Sequence, residues 1–195
     1  MSLEPTKRIG LYGGTFDPVH FGHLLMATQA LEQLDLDQVI FIPAAQNPHK
    51  PDTITAPASL RIEMLAAAIA PEPRFTLDTI ETDAPPPSYT IHTVHALEKK
   101  FLDTQLYLLI GADNLPKLHT WKDIDTLRKK VTLTVFERAG FPLPENKNFL
   151  TITGRFDITA TEIRNRVANR APIDYFVPRD VQLIMTREKL YHTYA

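Results

Sequence analysis

Short, continuous apolar runs alternate along the chain with segments whose apolar residues recur every three or four positions. Ile9-Gly10-Leu11-Tyr12, Val39-Ile40-Phe41-Ile42, Leu106-Tyr107-Leu108-Leu109-Ile110 and Val131-Thr132-Leu133-Thr134-Val135-Phe136 are of the first kind. They read as strands buried on both faces. Phe75 to Asp78 and Phe149 to Thr153 are shorter candidates. Helical spacing links Leu24, Leu25, Ala27, Ala30, Leu31 and Leu34, then Leu60, Met64, Leu65 and Ile69, then Ile91, Val94, Leu97 and Phe101. Two short helices are expected at Leu115 to Leu118 and at about Lys122 to Arg128. From Thr159 the pattern is helical through Ile163, Val167 and Ala168. It breaks at Pro172, and one or two closing helices carry Val181, Leu183, Ile184 and Leu190. Strand alternating with helix predicts an α/β fold with a doubly wound parallel sheet. Residues 1–195 are read as a single domain, with a small C-terminal helical subdomain from about residue 155.

Composition narrows the class without naming a chemistry. The 195 residues are 44% hydrophobic and 23% charged, ordinary for a globular chain with a sizeable core. The net charge of −2 supplies no global attraction to nucleic acid or an anionic membrane, so neither partner is expected. Any affinity for a polyanion must be local. The absence of cysteine excludes disulfides, thiolate metal sites and a cysteine nucleophile. No signal peptide is read in Met1 to Arg8, and no apolar run approaches the roughly 18 to 20 residues of a membrane span. A cytoplasmic location is expected. Prolines fall between the patterned segments, as in Ala84-Pro85-Pro86-Pro87-Ser88 and Asn47-Pro48-His49-Lys50-Pro51, and mark loops.

The densest chemistry lies between the first strand and first helix, at Gly13-Gly14-Thr15-Phe16-Asp17-Pro18-Val19-His20-Phe21-Gly22-His23. His20 and His23 are three apart, on one face of the first helical turn. As an isolated pair they read most simply as surface or capping histidines. A metal site lacks a third ligand at helical spacing, so none is expected. The remaining reading is an anion at a helix N-terminus, approached closely by the Gly13 and Gly14 backbone. The stretch contains neither the Walker glycine-lysine pattern nor the dinucleotide glycine fingerprint. Near the other end, Ile158-Thr159-Ala160-Thr161-Glu162-Ile163-Arg164 reads as a capping box built on Thr159 and Glu162. A capped N-terminus is also an anion site, and Arg164 offers a charged fork to phosphate or, more plainly, a surface salt bridge.

The glycine-histidine stretch resembles the nucleotidyltransferase α/β-phosphodiesterase superfamily, whose (T/H)xGH element is matched by His20-Phe21-Gly22-His23. The run from Ile158 to Arg164 is similar to that superfamily's ISSTxIR element, with Ala160 in place of the second serine. Within the superfamily the chain resembles the bacterial nicotinate-nucleotide adenylyltransferase family over nearly its whole length. The matching pieces include Asn47 to Lys50, Ser88-Tyr89-Thr90, Gly111-Ala112-Asp113, Trp121, Tyr175 to Pro178 and Leu190-Tyr191. Departures are Ala160, His92 where the family more often has aspartate, and Arg138-Ala139-Gly140-Phe141 in place of an arginine-proline-glycine loop.

The resemblance implies a Rossmann-like nucleotidyltransferase fold. It implies adenylyl transfer from ATP to nicotinate mononucleotide, giving nicotinate adenine dinucleotide and pyrophosphate. It implies catalytic roles for His20, His23 and Arg164. ATP would be held by Gly13, Gly14, Thr15, Phe16, His20, His23, Gly111, Asp113, Thr159, Thr161 and Arg164, with Ala160 left as a backbone donor. Nicotinate mononucleotide would meet Thr15, Lys50, Thr90, Asp113 and Trp121. Mg²⁺ is expected on the ATP phosphates, held by substrate rather than by a protein cage. Taken singly, Trp121 also reads as a core aromatic, Asp113 as a turn or cap residue, and Lys50 as a surface lysine. Rival readings are another acceptor, such as nicotinamide mononucleotide or phosphopantetheine, a nucleotide-binding regulator, and a metal hydrolase. The sequence leaves monomer and homo-oligomer open.

Overall fold

The computed structural model describes residues 7–45, 56–85, 87–138, 140–145, 148–154 and 157–192. Six strands form one sheet: β1 (Lys7–Gly14), β2 (Gln38–Pro43), β3 (Phe75–Leu77), β4 (Thr104–Gly111), β5 (Thr132–Phe136) and β6 (Leu150–Ile152). Their order is β3-β2-β1-β4-β5-β6, and every pairing is parallel. This is the doubly wound α/β arrangement that the alternating pattern predicts. The order reverses between β1 and β4, and such sheets open a crevice for ligands beyond the strand ends at that point.

The helices are α1 (Phe21–Gln33), α2 (Ala58–Ile69), α3 (Thr90–Lys100), α4 (Ile124–Lys130), α5 (Ala160–Ala168) and α6 (Arg179–Arg187). A 3₁₀ helix, Ala112–Thr120, follows β4 directly. Side chains alternate across each strand and feed two cores. Ile9, Leu11, Ile40, Ile42, Leu106, Leu108, Ile110, Leu133 and Val135 face the side covered by α3 and α4. Tyr12, Val39, Phe41, Tyr107, Leu109 and Phe136 face the other, where they meet Leu31, Met64, Ile163 and Val181. Both faces are buried, which is why the strand sequences are apolar throughout. Residues of α5 and α6 share this second core with the sheet.

The differences from the sequence pattern have local causes. β1 runs to Gly14, so the first turn begins at Thr15. Gly13 and Gly14 add no apolar signal, but they pair with Ile42 and Pro43 of β2. Leu25 and Leu183 sit on apolar stripes but are exposed, and Met185 takes the inward place in α6. In α2 the innermost position beside Met64 and Leu65 belongs to Arg61, which is only 1% exposed, with Leu60 displaced to the flank. No helix among the described residues is long and apolar enough to cross a membrane.

Candidate active site

The first βα turn is held rigidly by partners far away in sequence. Phe16 adopts a left-handed backbone (φ 49°), and its buried ring lies edge-on to His23, with centroids 5.0 Å apart. Arg61 Nη1 donates to the main-chain oxygens of Thr15 (2.7 Å) and Ala44 (2.9 Å), and its Nε donates to Ala56 (3.3 Å). Asp17 is buried. Its Oδ1 accepts from the Ala56 N–H at 3.2 Å and from the Tyr191 hydroxyl at 2.6 Å. Arg164 Nη1 donates to the Asp17 main-chain oxygen at 2.7 Å. The turn is therefore clamped from α2, from α5 and from the segment after α6.

His20 is the N-cap of α1 and His23 its third residue. Their rings stack at 3.7 Å between centroids. The His20 N–H donates to His23 Nδ1 at 3.3 Å, so the neutral His23 ring carries its proton on Nε2. Among the described residues, the buried Nδ1 of His20 has no hydrogen-bond partner. Burial holds both imidazoles below the ordinary histidine range, and the positive charge of Arg138 adds to the effect, so His23 is brought down to about 3. For His20, the neighbouring His23 is a further cause. Gly22 is required by this stacking: a Cβ there would lie 2.9 Å from His20 Nδ1. The Phe21 N–H donates to the Phe176 main-chain oxygen at 2.9 Å. Donors of this helix end are thus largely used within the protein, and what faces the cavity is chiefly imidazole.

Across the switch point, Gly111 ends β4 and Asp113 lies in the first turn of the 3₁₀ helix. A Cβ on Gly111 would collide with the Asp113 carboxylate, so glycine lets that side chain fold back over the strand end. Arg138, just past β5, pairs with Asp113 at 3.1 Å. At the α5 end, Thr159 Oγ1 accepts from the Glu162 N–H at 3.1 Å, which is the N-cap half of the expected capping box. Arg164 Nη2 donates to Thr161 Oγ1 at 3.2 Å. The Arg164 guanidinium therefore bridges turn and helix rather than making a surface salt bridge.

One cavity of about 750 Å³ joins these parts. It is lined by Gly13, Gly14 and Thr15, by His20 and His23, by Gly111 and Asp113, and by Thr159, Ala160, Thr161 and Arg164. Tyr89, Thr90 and Trp121 line the same cavity. Thr90 is the first residue of α3, a helix with no side-chain cap and no acidic residue in its first turn. Lys122 Nζ sits 4.7 Å from the centre of the Tyr89 ring. Of the sequence-predicted site residues, Phe16 lies beneath the cavity rather than on its wall, and Lys50 lies outside the described residues. The described residues contain no group of three His, Asp or Glu side chains suited to a metal ion.

Arg61 and Glu81 are absent from the motif reading, and Asp17, Arg138 and Tyr191 stand in its quoted stretches without a role in the site. Arg61 alone leaves a signal, a charge on the inward face of α2 three and four residues before Met64 and Leu65. The others act through contacts between segments up to 174 residues apart, which no local pattern records.

Residues 11–166 match the cytidylyltransferase-like family. Over 188 residues the chain is 42% identical to a Thermus thermophilus protein named "probable nicotinate-nucleotide adenylyltransferase", covering 94% of this chain and 99% of the relative. A Bacillus licheniformis protein of the same name is 38% identical over 189 residues, covering 96% of this chain and 100% of the relative. The fold is also that of the Plasmodium falciparum nicotinic acid mononucleotide adenylyltransferase complexed with NaAD. That likeness has a TM-score of 0.80 at 16% identity, over 95% of this chain and 97% of that one. With a family model matched over residues 11–166 and relatives 42% and 38% identical over nearly their whole length, the chain belongs to the nicotinate-nucleotide adenylyltransferase family of cytidylyltransferase-like nucleotidyltransferases.

Proposed function

We propose that the protein transfers the adenylyl group of ATP to nicotinate mononucleotide, releasing pyrophosphate and forming nicotinate adenine dinucleotide. The observation that carries this reading is the single cavity at the β1/β4 switch point. It brings His20, His23, Thr159, Thr161 and Arg164, suited to phosphates, into one space with Trp121 and the uncapped N-terminus of α3.

The acceptor's 5′-phosphate is ionised at neutral pH and is itself the nucleophile. One of its oxygens bonds to the α-phosphorus while the bond from that phosphorus to the pyrophosphate oxygen breaks. No proton needs to be removed, so a general base is unnecessary. The protein's task is to align two polyanions and to stabilise charge on the transferring and leaving phosphates. His23 donates from Nε2 to the α-phosphate. Arg164, Thr159 and Thr161, with the Ala160 backbone, hold the outer phosphates. Asp113 and the Gly111 turn hold ribose, and Arg138 must share or release Asp113 as ATP enters. Gly13 and Gly14 allow the nucleotides to lie against the β1 end, with Thr15 between them and Phe16 setting the backbone. Trp121 stacks on the pyridine ring, where a flat electron-poor ring meets an electron-rich face. The backbone N–H groups at Thr90 receive the nicotinate carboxylate, and Lys50 a phosphate. Mg²⁺ belongs on the triphosphate in this reading. The polar side chains around the cavity are mainly hydrogen-bond donors, which would suit an ion carried in by the substrate, and such an ion would screen the phosphate charge.

The shared second core supports one domain with α5 and α6 as a helical extension of the sheet. The test of acceptor identity is a parallel assay of pyrophosphate release with nicotinate mononucleotide, nicotinamide mononucleotide and phosphopantetheine, each with ATP. Preference for the first is expected. Faster turnover with either other acceptor reassigns the acceptor, and no release with any of the three favours a binding protein without turnover.

A further inference from the structure

Glu81 lies in the loop between β3 and α3 and lines the same cavity. A carboxylate is an unexpected neighbour for a site read as receiving an acidic ring. Burial raises its pKa, and two hydroxyls oppose that rise by hydrogen bonding to the charged form. Thr93 Oγ1 donates to Glu81 Oε1 at 2.7 Å, and Ser88 faces the same carboxylate. Thr93 is itself 5% exposed, so this contact is sheltered from water. The Ser88 oxygen in turn accepts from the Ala45 N–H at 3.2 Å. The Ala45 N–H donates to the Ser88 oxygen, Thr93 donates to Glu81, and the Ser88 hydroxyl faces the same carboxylate.

Ser88 and Thr93 bracket the beginning of α3, one just before the N-cap Tyr89 and the other in the first turn and a half. A side-chain cap at position 89 would hold this end of the helix more simply, but it would occupy the backbone N–H groups there. Glu81 holds the same end from the side and leaves those donors open. We propose that Glu81 is a positioning residue for the acceptor nucleotide, fixing the N-terminus of α3 through the Ser88 and Thr93 hydroxyls so that its free N–H groups meet the substrate carboxylate. The inference rests on the acceptor reading above.

Glu81→Gln tests it with little change of shape. The amide removes the negative charge and replaces one acceptor oxygen with a donor group, which weakens the hold on the Thr93 and Ser88 hydroxyls. The expected result is a rise of about tenfold in KM for nicotinate mononucleotide, the size of one lost charge-assisted hydrogen bond, with KM for ATP within about twofold of wild type. Adding Thr93→Val to Glu81→Gln should cost less than the product of the single effects, because both act through one contact. An equal rise in both KM values, or a KM for nicotinate mononucleotide within about twofold of wild type, overturns the inference. If thermal melting shows Glu81→Gln unfolded, Thr93→Val and Ser88→Ala each remove one arm and must give the same one-sided KM change. A wild-type protein without turnover on this acceptor overturns the acceptor reading and this inference together. Turnover without the KM split overturns this inference alone.

Discussion

His20 and His23 lie ring on ring, and both are uncharged in the free protein because burial and Arg138 disfavour their protonated forms. A neutral imidazole whose Nδ1 is already an acceptor still donates from Nε2, and a phosphate oxygen is the natural partner for that proton. His23→Ala should leave the circular dichroism spectrum and melting cooperativity intact while lowering kcat by about 10²- to 10³-fold, as for loss of a transition-state donor. Near wild-type turnover would remove His23 from the phosphate. The depressed pKa also fixes a sign. Below the unfolded value of 6.5, the unfolded chain takes up a proton that folded His23 refuses until about pH 3. Stability is therefore lost as pH falls through that window, at up to about 1.4 kcal/mol per pH unit for one histidine. Glu81, raised by burial, works in the opposite direction, so the contribution of His23 is read by difference. Urea denaturation of wild type and His23→Asn between pH 6.5 and 4.5 should show the steeper decline in wild type.

At the scale of elements, the first turn gains its shape from what α2, α5 and the C-terminal segment bring to it. Arg61 is the clearest case. It is almost wholly buried and offers its N–H groups to three main-chain oxygens from Thr15, Ala44 and Ala56. Methionine would fill much of its volume but leave those oxygens unpaired. Arg61→Met should destabilise the fold by about 3 kcal/mol, measured by chemical denaturation, and lower activity beyond what the unfolded fraction explains. A change under about 1 kcal/mol would show that water replaces the guanidinium. Much of the element layout is legible in the sequence because the strands are apolar on both faces and the helices keep their 3.6-residue stripe. The histidine pair is legible because its four residues are contiguous on one turn. Arg61, Asp17 and Tyr191 are legible only after folding, because their meaning lies in contacts between α2, the turn and the tail. Leu25 and Leu183 mislead for the converse reason: each lies on a stripe wider than the face its helix buries.

For the whole molecule, the sheet order decides where chemistry happens. Chain order reverses between β1 and β4, and the His20–His23 turn and the Gly111–Asp113 turn emerge there side by side. α5 returns from the far end of the sequence to place Thr159 and Arg164 on the same cavity. The periodicity of the chain suggests a doubly wound sheet but not which turns meet, so the meeting of the His20–His23 turn and the Thr159–Arg164 segment on one cavity is visible only in the folded chain. The central claim is attack by the acceptor phosphate on the α-phosphorus of ATP, with pyrophosphate leaving. The most direct test follows the label from ATP carrying either an α- or a γ-labelled phosphate, incubated with the wild-type protein and nicotinate mononucleotide. The account predicts that α-label enters the dinucleotide and γ-label leaves as pyrophosphate, in equal amounts. Recovery of α-label as AMP or ADP, with none in a dinucleotide, would contradict it.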